Sequence, residues 1–322
     1  MRRFLARITA AMALLIPLRA VAAPLEEVRT PHFVFLPDSG SAGLARSLSE
    51  RAEDARQALL HRLGVADDRV IEVRIASDED QMSLAVGTDR PVGEWIAGMA
   101  WPREGRMVIS ARGNEVFSAR DTFLHELAHL YLETAVGGRR VPRWFHEGFA
   151  MQMAGEPLAM RLKAFLEAGA TGSYLPLEDL DDGFPDRPPA VHLAYAQSRM
   201  FVQWLDRRSG GRGIARLVEA MRSGMDFPLA FDLTWGASPS SLFDVFRKTA
   251  SPLASWLYVL TGSAVLWFLI AGLFLWAYLR KRRRAQQKRR LWELQEEFRG
   301  LASSGDSGEP ETWTGRGPTD IQ

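Results

Sequence analysis

Two histidines four residues apart, His125 and His129, with Glu126 beside the first, constrain this chain more than any other feature. Residues i and i+4 share one face of an α-helix, so both imidazoles reach one metal ion only if the run 122–129 is helical. Glu126 points one step round the helix. There it is badly placed to bind the same ion but well placed to hold a water that the ion polarises. The flanking residues predict such a helix from Ser118 to about Val136. Ser118 and Asp121 stand at capping-box spacing, and Gly137-Gly138 supply a stop. Phe123, Leu127, Leu130 and Tyr131 are available to pack its sides.

Composition narrows the chemistry. There is no cysteine, so disulfides are excluded and any metal site must use His and carboxylate ligands. The 322 residues carry 40 basic and 39 acidic side chains, and a net charge of +1 gives no general reason to expect nucleic acid as a partner. No internal repeat is present.

Both ends of the chain predict membrane targeting. Residues 1–22 read as a secretory signal: Arg2, Arg3 and Arg7 are basic, Ile8–Leu18 is apolar, and Ala20-Val21-Ala22 is a small-x-small site with cleavage expected after Ala22. Trp256–Leu279 is 24 residues without a charged side chain, enough to cross the hydrocarbon core, with Trp256, Tyr258, Trp276 and Tyr278 near its ends. Arg280-Lys281-Arg282-Arg283-Arg284 follow at once. The positive-inside rule makes that end cytoplasmic. The expected arrangement is therefore a single-pass protein of the bacterial cytoplasmic membrane, with membrane lipid as a partner. Residues 23–250 lie outside the cytoplasm (in the periplasm if the cell is Gram-negative). Residues 280–322 form a basic, then disordered, cytoplasmic tail. Six residues, 250–255, link the last predicted helix to the span and reach about 20 Å at most, holding the outer domain near the bilayer.

Between these ends the patterns predict an α+β domain, with a small mixed sheet and its helices first and a mainly helical part after. Strands are expected at 32–36 and 70–75, where apolar residues alternate or cluster, and a hairpin at 98–101 and 107–111 around Pro102–Gly105. Helices are expected at 42–63, at about 78–85, over the histidine run, and on a segment starting after Pro142. Further helices are expected at about 158–168, 190–208, 213–223 and 238–249. The Asp/Pro-rich stretch 181–189 is expected as a loop bordering a cleft.

A site built on His125 and His129 needs a third protein ligand and an open fourth position. The pattern that adds a third histidine needs a glycine at 132 and a histidine at 135, where this chain has Leu132 and Ala135. Glu133 lies on the same face as His129 but about 6 Å further along the axis, too far to share the ion with His125. Glu147 is the best candidate, because a second helix after the Gly-Gly and Pro turn can fold back and aim it at the histidines. His146, next to it, reads as structural, and His32 and His61 as ordinary histidines.

His-Glu-x-x-His followed by Trp144-Phe145-His146-Glu147-Gly148-Phe149-Ala150 resembles the gluzincin metallopeptidases, the thermolysin-like group that includes the M1 aminopeptidases. The similarity is greatest to small bacterial peptidase MA-like domains, which also carry a Pro-His-Phe strand, here Pro31-His32-Phe33, and a Tyr-x-x-Ser segment, here Tyr195-Ala196-Gln197-Ser198. It covers about residues 30–225. The resemblance implies Zn2+ held by His125, His129 and Glu147, Glu126 as general base, and hydrolysis of peptide bonds. In related enzymes a Tyr or His of a later helix donates to the oxyanion, which singles out Tyr195 first and His192 second. A sheet edge beside the metal helix, 98–101 or 107–111, would take the substrate backbone as an added strand. Gly98-Met99-Ala100-Trp101 lacks the acid with which M1 aminopeptidases bind the substrate amine, which favours an endopeptidase acting on envelope peptides or proteins. The chain departs from some relatives at Met151, where an acidic residue would orient a ligand from behind. A non-catalytic, zinc-containing envelope binding or scaffold protein is the alternative, but such a protein has no use for Glu126.

Overall fold

Side-chain alternation builds the sheet. In a strand (β2, Phe33–Pro37) Phe33 and Phe35 are buried, and in the next (β3, Ile71–Ala76) Ile71, Val73 and Ile75 are, so period two places both sets on one face. The structure is a computed structural model that describes residues 27–88, 92–93, 96–113, 118–261 and 263–304. For residues 159–160, 251–261, 263–266, 290–291 and 293–304 it describes the backbone alone. The predicted signal at 1–22 and the tail beyond 304 lie outside the described residues.

Two edge strands complete the sheet, a short β1 (Val28–Arg29) and β4 (Gly98–Trp101), with β5 (Arg106–Ser110) inside it. The order is β1-β2-β3-β5-β4; β2, β3 and β5 run parallel, and β1 and β4 are added antiparallel. Of the two segments expected as a free edge, 98–101 is the edge and 107–111 is not. Met107, Val108 and Ile109 are all buried, because β5 is covered on both faces.

One face packs against two helices, α1 (Ala42–Leu63) and α3 (Ala119–Ala135). Phe123 of α3 meets Phe33 and Phe35 at ring distances of 6.0 Å each, tying the helix to the sheet. The other face is covered by α2 (Glu79–Val86), whose Met82 packs on Val108 and Ala76. The predicted capping box opens α3: the Ser118 hydroxyl accepts from the Asp121 N–H and the Asp121 carboxylate accepts from the Ser118 N–H, both at 3.2 Å. Gly137 and Gly138 follow with φ of +68° and +69°, a backbone that suits glycine.

The helical part begins with α4 (Arg143–Ala154), directly after Pro142. It continues through α5 (Ala159–Thr171), α6 (Ala190–Arg208), α7 (Gly213–Arg222), α8 (Phe227–Trp235) and α9 (Pro239–Thr261). Helix α4 lies against α6 in backbone contact. A Cβ on Gly148 would stand 2.6 Å from the Ser198 carbonyl oxygen, so glycine is required there. Around this contact Trp144, Phe201, Phe227, Phe231, Phe243 and Phe246 interlock, with neighbouring ring centroids 5.2–6.3 Å apart. Buried Gln197 uses both ends of its amide on Leu175: its oxygen accepts from the Leu175 N–H at 3.1 Å and its NH2 donates to the Leu175 carbonyl at 2.9 Å. That pins the segment after α5 to α6.

Two expectations change. The short helix expected at 238–249 runs on as Pro239–Thr261, so residues 250–255 are helical and not an extended linker. Helix α8 was not expected. The chain divides into two units after Ser255. The second contains α10 (Ser263–Ser304), so the basic run 280–284 is helical. Among the described residues no helix is long and apolar enough to cross a membrane. The predicted span 256–279 includes residue 262 and the side chains of 256–266, which lie outside them.

Candidate metal centre

One turn of α3 presents His125 and His129 on the same side, and the antiparallel return of α4 brings Glu147 against them. Their ligand atoms all lie within 4.8 Å of one another. The two Nε2 atoms are 2.9 Å apart, and Glu147 Oε2 is 3.5 Å from that of His125 and 3.8 Å from that of His129. These separations bracket the ~3.3 Å edge of a tetrahedral zinc site with bonds of about 2.0–2.1 Å. Two imidazole nitrogens and a carboxylate oxygen facing one point are a cation's ligand set.

The electrostatics agree with that fit. Burial opposes a charge on His125, but hydrogen bonds to Glu147 and Glu156 outweigh it and lift its pKa to about 10. Burial drives His129 well below its usual value, with His125 adding like-charge repulsion. The Glu147 carboxylate, despite burial, is held at about 2 by its hydrogen bond to His125 and the charges of both histidines and Arg143.

Glu156 was not anticipated from sequence. Buried to 3% exposure, it lies 2.5 Å from His125 Nδ1 and fixes the ring so that Nε2 faces Glu147 and His129. Its other oxygen is 3.4 Å from an Arg161 guanidinium nitrogen, and its backbone carbonyl accepts from Arg199. It thus fills the orienting role that Met151 cannot. Met151 is itself buried, with its sulfur 3.4 Å from Arg161. His146 is outside the triangle and stacks on His129, rings 4.5 Å apart and 14° from parallel. His32 is engaged elsewhere, with its Nδ1 2.9 Å from Glu53.

Glu126 is held against the sheet edge. A Cβ on Gly98 would stand 2.7 Å from Glu126 Cγ and from Thr122 Cγ2, so only glycine lets β4 come this close to α3. Burial pushes the Glu126 carboxyl up to about 7; the charge of His125 opposes this and those of Glu147 and Glu156 add to it.

The site opens into a cleft of about 710 Å³ walled by β4, α3, the loop at 184–186 and the start of α6. Tyr195 and His192 both line it, as does Asp186 of the loop predicted to border a cleft. Arg161 lies over the Tyr195 ring at 4.3 Å, and Phe184 meets the same ring edge-on at 4.8 Å. The Tyr195 pKa is raised by burial and by the charge of Glu147, while Arg143, which hydrogen-bonds it, pulls the other way. Arg143 also sits 3.5 Å from Glu147, so it bridges a candidate ligand and a candidate donor. A second cavity of about 490 Å³ continues past Ala100, Glu126, His129, Arg143 and Glu147 toward Pro102 and Asp181. The two share those residues, so the groove passes across the His–His–Glu cluster.

A family model described as the peptidase MA superfamily matches residues 51–250. No curated protein matches the chain.

Proposed function

Because the chain belongs to the peptidase MA superfamily, we propose that it is a zinc-dependent metallopeptidase that cleaves internal peptide bonds. The observation that carries this reading is the convergence of three ligand atoms and the Glu126 carboxylate beside a sheet edge in one groove. His125, His129 and Glu147 would hold the ion. When bound, zinc lowers the pKa of water and polarises the scissile carbonyl.

The chain's own residues account for the rest. The edge strand β4 takes the substrate backbone as an added strand, which sets the scissile bond over the cluster. Glu126, buried beside the cluster and against the sheet edge, accepts a proton from the attacking water and returns it to the leaving amine. Tyr195 donates its O–H to the oxygen of the tetrahedral intermediate, positioned by Arg143 and Arg161; His192 is the second choice for this donor. Glu156 holds the His125 ring. A groove that continues on both sides of the cluster accepts chain in both directions, which supports an endopeptidase. Glu156→Gln is expected to weaken zinc binding by about 10–100-fold, read by chelator competition, with little change in melting temperature. Unchanged affinity would remove Glu156 from this role.

The setting we propose is the outer face of a bacterial cytoplasmic membrane, with envelope proteins as substrates. It rests on the uncharged run 256–279, the basic residues after it, and the exposure of Trp267, Phe268, Leu273, Phe274 and Trp276 on α10. One experiment tests place and activity together. The full chain should partition with membranes, and a chain ending at Ser255 should not. Both should cut an unstructured protein substrate and stop when zinc is chelated. A full chain found in the soluble fraction would overturn the anchor, and chelator-insensitive cleavage would overturn the zinc reading.

A further inference from the structure

Two adjoining cavities, of about 850 and 390 Å³, share no lining residue with the metal groove. They meet at Val65 and Arg222 and form one trough between the end of α1, the end of α3 and α7. Five arginines line it, Arg69, Arg139, Arg212, Arg216 and Arg222, against two carboxylates, Asp67 and Glu219.

The charges do not cancel locally. Asp67 is taken up by Arg69, with three contacts of 2.8–3.1 Å. Arg139, Arg212, Arg216 and Arg222 form no ion pair with any described residue, which leaves four guanidinium groups facing Glu219 alone. In a chain whose net charge is only +1, this is a local concentration of positive charge. The arginines come from different elements: Arg139, from the turn after α3, reaches across to the turn after α7, its end 3.9 Å from where a Cβ on Gly224 would stand, two residues beyond Arg222.

Exposed arginines alone are cheap to keep and mark nothing. A second observation points to a ligand. Tyr131, 1% exposed, lines the smaller cavity; the Arg56 guanidinium reaches its hydroxyl oxygen, but its O–H finds no acceptor at hydrogen-bonding distance among the described residues. Leaving such a group unpaired is costly, and an acceptor entering the cavity removes that cost.

We propose that this trough binds a ligand carrying more than one phosphate group. One phosphate sits between Arg139 and Arg222 and takes the Tyr131 hydroxyl as a donor. The other lies toward Arg212 and Arg216. The planar guanidinium fork pairs two donors with two phosphate oxygens, and several forks on one trough suit a multiply charged anion better than a single carboxylate. The source is either a soluble phosphorylated compound or the headgroups of anionic lipid.

The full chain in neutral detergent provides the test, titrated calorimetrically with fructose 1,6-bisphosphate and, separately, with short-chain cardiolipin, which carries two phosphates, at about 0.1 M salt. Saturable binding of either supports the site, and the one that binds identifies the source. The double variant Arg139→Ala/Arg222→Ala should weaken that binding at least about tenfold, and Tyr131→Phe, which keeps the ring, should weaken it less. Cleavage by the metal groove should be the same in all three proteins, which separates this site from the peptidase reading. No binding of either probe, or equal binding by the double variant, would overturn the proposal.

Discussion

Glu126→Gln is expected to lower peptide hydrolysis by about 10²–10⁴-fold, the usual contribution of a positioned general base, while zinc stays bound. The substitution keeps the side chain's size, so the contact with Gly98 and the wall of β4 are preserved. What it removes is the ability to accept and return a proton. Burial, reinforced by Glu147 and Glu156, brings that carboxyl to about 7 in the metal-free protein. The same shift has a stability consequence. A carboxyl whose folded pKa is raised destabilises the fold once pH passes its unfolded value, and the cost is complete above the folded value. Metal-free Glu126→Gln protein should therefore melt at or above the wild type at pH 8. Hydrolysis that survives the substitution would remove Glu126 as the base.

Gly98→Ala should cost about 10²-fold in hydrolysis, the scale of effect that a displacement of about 1 Å has on a positioned group. The added methyl meets Glu126 Cγ and Thr122 Cγ2 at 2.7 Å and Glu126 Oε1 at 2.9 Å. Either the carboxylate or the strand must move, and both belong to the groove. The overpacking should also lower stability by about 1–3 kcal/mol. A control distinguishes lost alignment from lost fold: zinc affinity should be nearly kept, since the nearest contacts of the new methyl are Glu126 and Thr122 and not His125, His129 or Glu147. Full activity in this variant would mean that the approach of β4 to α3 is looser than the structure has it.

The features legible in the sequence are those carried by one helix or one turn. The i, i+4 spacing, the Ser118/Asp121 cap and the Gly137-Gly138 stop are local, and all three appear as read. Glu147 could be found because Pro142 and the glycines force a reversal, and a reversal limits which residues face α3. Glu156 could not: it lies 31 residues from His125, beyond the end of α4, and only the tertiary fold joins them. Arg143 left a weak trace, four residues before Glu147 on the same helix face. The sheet order was hidden as well. The segments 98–101 and 107–111 look alike as strands, and it is burial on both faces that makes β5 interior and β4 the edge. At the far end, a change toward apolar composition near residue 250 looked like a boundary, yet α9 continues through it, because backbone helicity is indifferent to that change.

The zinc content of the purified protein, measured by mass spectrometry for the wild type and for Glu147→Gln, is the most direct test of the metal centre. One zinc per chain is expected in the wild type, and loss of most of that zinc together with cleavage in the variant. A wild type that binds no zinc, or a variant that keeps both zinc and cleavage, would contradict it.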